Sequence, residues 1–118
     1  MSKYLILIYG DERQWAAMPA SERERLGEAH RAFAEAAGPA LLDGHELEPA
    51  STATTLRADA SGRPLVTDGP FMETKEAMGG YYLVEAADVA EVIALAGRLR
   101  EVSAGHSGVE IRPVVDHG

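Results

Sequence analysis

A histidine on the apolar stripe of a helix, with a carboxylate to orient it, is the arrangement in this sequence best suited to move a proton. His30 lies four residues after Leu26 and three before Phe33, on the stripe that Leu26, Ala29, Phe33 and Ala37 trace at three-to-four spacing. An imidazole so placed must find a hydrogen-bond partner or be costly to bury. The plain outcome is a satisfied core histidine. The chemical one is a general acid or base working near neutral pH beside a carboxylate. Two carboxylates are placed for that role: Asp68, at the start of a long loop, and Asp43, in the strand that follows the helix.

The loop between Leu65 and Tyr82 holds more chemistry than a connector needs. Asp68-Gly69-Pro70 is a turn signal, in which Pro70 biases Gly69 toward extended geometry. Asp68 either faces a cleft or caps the loop's own N–H groups. Phe71, Met72 and Met78 are apolar anchors. Lys75 and Glu76 pair with each other to brace the loop, or Lys75 neutralises an anionic ligand beside His30 with help from Arg57 or Arg112. Tyr81 and Tyr82 point to opposite faces of their strand, so one of them lines a pocket and the other packs elsewhere. Gly79-Gly80 permits close backbone approach, with no phosphate-binding glycine pattern around it.

The elements that must position these groups read as follows. Residues 3–9 are apolar at almost every position, the pattern of a strand buried on both faces. In a chain this short, helices cover one face of a sheet, and a second copy is the simplest cover for the other. Trp15 falls in a short helical or irregular link. Ser21 with Glu24 forms a capping box, and the helix it opens stops at Gly38-Pro39. A strand over 40–47, bent or bulged at Gly44, precedes a hairpin of 52–58 and 64–67. Tyr81–Glu85 is a further strand, and Asp88 with Glu91 caps a helix whose stripe is Val89, Val92, Ile93, Ala96 and Leu99. A turn over 103–108 leads to a last strand over 109–115. The order β-α-β-(hairpin)-β-α-β is a ferredoxin-like α+β arrangement with an antiparallel sheet.

Composition narrows the function classes. The 118 residues suit one domain spanning 1–118, and 46% apolar content supports a single core. A net charge of −8 with scattered Lys and Arg argues against a nucleic-acid surface. With no cysteine there is no disulfide framework and no thiolate chemistry. His45, His106 and His117 lack ligand spacing, so no metal site is expected, and no cofactor motif is present. The apolar run after Lys3 is too short for a signal segment or membrane span, which makes a cytoplasmic protein the expectation.

Asp68-Gly-Pro-Phe71, Glu73-Thr-Lys-Glu76 and Gly79-Gly-Tyr-Tyr82 together resemble the DGPF-type branch of the YCII-related proteins. The opening 3–11, Ala29-His30 and the closing Val109–Pro113 fit the same pattern, so the resemblance covers nearly the whole chain. It implies a ferredoxin-like domain of the dimeric α/β-barrel type, a homodimer paired through its sheet. Better-studied relatives are proposed to use a His–Asp pair, and one eliminates chloride from a chlorinated hydroquinone. His30 matches the helix histidine of that pattern. Asp68 belongs to this branch's own signature and is the preferred partner, with Asp43 as the alternate. A His30–Asp68 pair would serve proton abstraction, elimination or isomerisation of a small anionic or phenolic compound, with Arg57, Phe71, Lys75, Glu76 and Tyr82 as further ligand-binding candidates. Relatives are often encoded beside extracytoplasmic-function sigma factors. That supports a second reading, a non-catalytic binding or regulatory module in a sigma-factor pathway, with Phe71 or Met72 as exposed anchors. A third reading gives the loop no role beyond bracing a dimer.

Overall fold

The apolar run near the N-terminus becomes the central strand of the molecule. The computed structural model describes residues 1–118. Strand β1 (Ser2–Gly10) leads into a short helix α1 (Glu12–Ala16) and the long helix α2 (Ala20–Ala37). A single 3-10 turn joins α2 to strand β2 (Leu41–Glu46), and a second precedes the hairpin of β3 (Thr54–Ala58) and β4 (Pro64–Asp68). Strand β5 (Ala77–Ala86), helices α3 (Val89–Ala96) and α4 (Arg100–Ser103), and strand β6 (Ser107–Pro113) complete the chain. Four strands form an antiparallel sheet in the order β2-β5-β1-β6, the ferredoxin-like arrangement, while β3 and β4 pair only with each other.

Alternation along the strands sorts the side chains between two faces. Tyr4 and Ile6 on β1, and Val84 and Ala86 on β5, meet Phe33 of α2 and Val92, Ala96 and Leu99 of the α3 side in one core cluster. Both helical segments therefore cover the same face. The opposite face presents Leu5, Leu7, Leu83 and Tyr81, paired across the β1–β5 ladder as Leu5 with Leu83 and Leu7 with Tyr81. Leu7 is buried there, but Leu5, Tyr81 and Leu83 remain half-exposed. No element of the chain stacks on that face in the core cluster.

The radius of gyration is 16.3 Å, against about 13–14 Å for a compact domain of this length. The hairpin accounts for the excess. It stands off as a two-stranded arm with Leu56, Leu65 and Val66 exposed.

Local signals decide the helix ends. The Asp88 cap forms as its sequence requires: Asp88 Oδ1 accepts from the Glu91 N–H at 3.1 Å, and Glu91 Oε2 accepts from the Ala87 N–H at 2.7 Å. The Ser21–Glu24 box does not form. Helix α2 begins at Ala20, with its cap at Pro19, two residues before Ser21, and no side-chain bond there. Its fixed φ of −68° sets the entry angle, and its carbonyl accepts from the Glu22 and Arg23 N–H groups. Val89 and Ile93, expected on the buried stripe of α3, are exposed. This two-turn helix buries Val92 and Ala96 in the core and packs Leu95 against it.

Candidate functional site

His30 makes two hydrogen bonds, and neither goes to an aspartate. Its Nε2 lies 2.8 Å and 3.1 Å from the two carboxylate oxygens of Glu101, and its Nδ1 lies 2.6 Å from the Tyr82 hydroxyl. Helix α2 supplies the histidine, α4 the glutamate and β5 the tyrosine. A carboxylate only accepts, so the Nε2–H donates to Glu101, and the neutral ring receives the Tyr82 O–H at Nδ1. Glu101 is the one charged side chain in the buried set, at 6% exposure. Its partnership with His30 is what makes that burial tolerable.

Each member is held by its own neighbours. The Tyr82 ring packs on Phe33 with centroids 4.5 Å apart. On the other side Gly44 of β2 stands opposite Tyr82, and a Cβ at that position would run into its ring. Burial first, then the negative charges of Glu101 and Glu46, push the Tyr82 hydroxyl above its ordinary value of 10.0, so the phenol keeps its proton. Glu101 is positioned by its neighbour in sequence. Arg100 Nε donates to Glu22 Oε1 of α2 at 2.7 Å, so a second polar link ties α4 to the helix that carries His30.

The three side chains line a cleft of about 950 Å³ between the helical face and the β2–β5 side of the sheet. Trp15, Met18, Leu26 and Leu47 give it apolar walls, and Gly44, Gly79 and Gly80 belong to its lining. Gly79 is the residue that the β1–β5 bulge inserts, and a Cβ on it would come within 2.6 Å of the Trp15 ring. The indole fills that slot, with its Nε1–H donating to Ser107 Oγ at 2.9 Å. Further bonds fix the α1 wall. Arg23 donates to the Trp15 and Ala16 carbonyls, and Glu12 accepts from the Ala50 N–H at 2.8 Å.

The other residues singled out in the sequence lie elsewhere. Asp68 ends β4 opposite Thr54 on the protruding hairpin, exposed and without a side-chain hydrogen bond. The expected His30–Asp68 contact is not made, because both imidazole nitrogens are engaged by Glu101 and Tyr82. Asp43 does not meet His30 either. It points to the open sheet face, where its carboxylate lies 3.1 Å from His45 Nε2 and accepts from the Tyr81 hydroxyl at 3.2 Å. That contact and burial raise the Tyr81 hydroxyl above its ordinary value, burial first. The consecutive tyrosines do face opposite ways, and Tyr82 is the one beside His30.

Arg57 lies over the exposed Phe71 ring, 3.9 Å from its centroid, so both belong to the arm. Lys75 and Glu76 form no ion pair; instead the Glu76 carbonyl accepts from the Thr74 hydroxyl. Arg112 pairs loosely with Glu110, 3.8 Å apart. Gly69 departs from the extended geometry expected before proline, with φ of +102°, a conformation that glycine adopts without strain.

Sequence reasoning missed Glu101, which stands 71 residues from its partner in no motif spacing. It also missed Trp15 as a wall and the Glu22–Arg100 pair. No helix in the structure is long and apolar enough to cross a membrane.

A protein of Rhizobium meliloti (strain 1021), described only as uncharacterised, is 36% identical over 117 residues, covering 94% of this chain and 90% of its own length. The model of the YCII-related domain matches residues 2–117. With the match running through every element from β1 to β6, the chain belongs to the YCII-related family.

Proposed function

We propose that this protein is an enzyme that takes a proton from, or returns one to, a small acidic or phenolic compound, with His30 as the acid–base centre. The observation that carries this reading is the Glu101–His30–Tyr82 chain of hydrogen bonds inside a cleft of about 950 Å³. Glu101 takes the orienting role that sequence alone gave to Asp68. The apolar walls suit a carbon framework, and Arg13 and Arg23 add positive charge to the lining for an acidic group. Proton abstraction, elimination and isomerisation share the step this site serves. The test uses deuterium wash-in to pentane-2,4-dione and chloride release from chlorohydroquinone. Wild type should accelerate at least one, and His30→Gln should lose about a hundredfold or more. Equal rates in the two proteins would remove His30 from the chemistry.

The same reading includes a homodimer joined through the open sheet face, where Leu5 and Leu83 are left half-exposed by their own chain. A second reading rests on a separate observation: Phe71 and Met72, offered by the sequence as anchors, are 62% and 66% exposed. That placement favours the arm as a docking surface for a protein partner, such as a sigma-factor pathway component. Charged substitution at both positions, Phe71→Glu with Met72→Glu, should abolish capture of that partner while leaving any turnover in the cleft intact. The two readings thus occupy different ends of the molecule.

A further inference from the structure

We infer that the atom meeting the ligand's proton is the phenolic oxygen of Tyr82, with His30 acting behind it and Glu101 behind His30. This rests on the cleft reading above and assigns a further catalytic residue to it.

Neither imidazole nitrogen has a free position. Nε2 is committed to Glu101, and Nδ1 to the Tyr82 hydroxyl at 2.6 Å. A ligand could reach Nδ1 only by displacing a phenol whose ring is clamped between Phe33 and the Gly44 backbone. The Tyr82 oxygen, by contrast, uses its hydrogen toward His30 and keeps lone pairs for another donor. Tyr82 also lines the cleft. The order carboxylate, imidazole, hydroxyl is that of a hydrolase triad, in which the imidazole activates the hydroxyl and the carboxylate holds the imidazole's tautomer.

The transfer balances without any further reactant. The ligand's proton forms a bond to the Tyr82 oxygen as the Tyr82 O–H breaks and its proton passes to Nδ1. The ring becomes an imidazolium whose Nε2–H stays bonded to Glu101, and the ligand holds the electron pair as its conjugate base. Reversal returns the proton to the same or an adjacent ligand atom. A free tyrosinate is never required, which matters because burial and two carboxylates oppose its formation.

Nuclear magnetic resonance on the full chain tests this without a substrate. Tyrosine labelled at the ring carbon bearing the hydroxyl and histidine labelled at its ring nitrogens are followed through pH in wild type and Tyr82→Phe. The neutral His30 ring should carry its proton on Nε2, and the Tyr82 signal should shift in step with His30 protonation. In Tyr82→Phe, which keeps the ring packed on Phe33, the Nδ1 signal should move to that of an unbonded nitrogen. A Tyr82 signal indifferent to His30 protonation overturns the relay. On any probe that wild type turns over, Tyr82→Phe should lose about a hundredfold, as His30→Gln does. Retention within about threefold in Tyr82→Phe alongside an inactive His30→Gln also overturns it, and leaves His30 catalysis standing. Absence of turnover in wild type counts against the catalytic reading, while the resonance experiment still decides whether the relay is wired.

Discussion

Tyr82 shows how much one side chain depends on what its neighbours lack. Its ring occupies space that Gly44 vacates, so Gly44→Ala must push either β2 or the phenol. We expect a cost of about 1–3 kcal/mol from this overpacking, read as a lower urea midpoint, together with loss of the Tyr82–His30 hydrogen bond. An unchanged midpoint with the bond intact would mean that β2 yields without strain. Glu22 offers a pH test. The hydrogen bond from Arg100, and then its charge, hold the Glu22 carboxyl below its ordinary value of 4.5. A depressed folded-state value places the stabilisation above the unfolded value and removes it as pH falls through the folded one. Wild type should therefore exceed Glu22→Gln in urea midpoint at neutral pH, and the two should converge as pH falls below the ordinary carboxylate range. Parallel curves at all pH values would take the pair out of the ledger. The exposure of this pair argues for a modest difference, since solvent screens it.

Among the elements, those set by local chemistry were legible and those set by tertiary contact were not. The doubly apolar run of β1, the turn between β3 and β4, and the Asp88 cap each carry their instructions within a few residues, and each forms. The capping box at Ser21 failed because Pro19 offered an earlier start. The α3 stripe was read too wide, since a helix of 8 residues lays only one narrow ridge on the core. Glu101 was illegible for a different reason: only the fold brings α4 beside α2, and nothing near Glu101 in sequence signals that neighbour. The motif that resembles a family signature instead drew attention to Asp68, which the fold places on the arm. Phe33, fully buried and touching Tyr82, joins core to site. Phe33→Ala should cost about 3–5 kcal/mol in denaturant unfolding and disorder Tyr82 as well. A cost below 1 kcal/mol would mean the core does not rest on α2 in this way.

For the whole molecule, the 14 buried residues out of 118 make a thin core, and the principal extents of 49 × 45 × 19 Å describe a slab. The homodimer proposed above would cover the apolar face that this slab leaves open. Leu83→Glu, on that face, should turn a dimer into a monomer in analytical ultracentrifugation. A wild type that sediments as a monomer would remove the sheet-paired dimer. Leu56→Lys with Val66→Lys on the arm should change unfolding stability by no more than about 0.5 kcal/mol, because the arm buries little in its own chain. A larger loss would show that the arm folds back on the body or onto a second copy.

The bulge in β2 sets the polarity of both faces. Leu41 pairs with Val84 and Asp43 with Leu83, so Leu42 is looped out of register. Were β2 regular, Asp43 rather than Gly44 would stand opposite Tyr82, and the next turn of alternation would carry His45 to the helix side as well. The same shift would turn Gly44 and Glu46 to the open face, so the cleft would exchange Glu46 for Asp43 and lose the glycine whose vacant space the Tyr82 ring occupies. Leu42 thus works as a parity bit. One extra residue keeps Asp43 and His45 on the Tyr81 side of the sheet and leaves Gly44 opposite Tyr82.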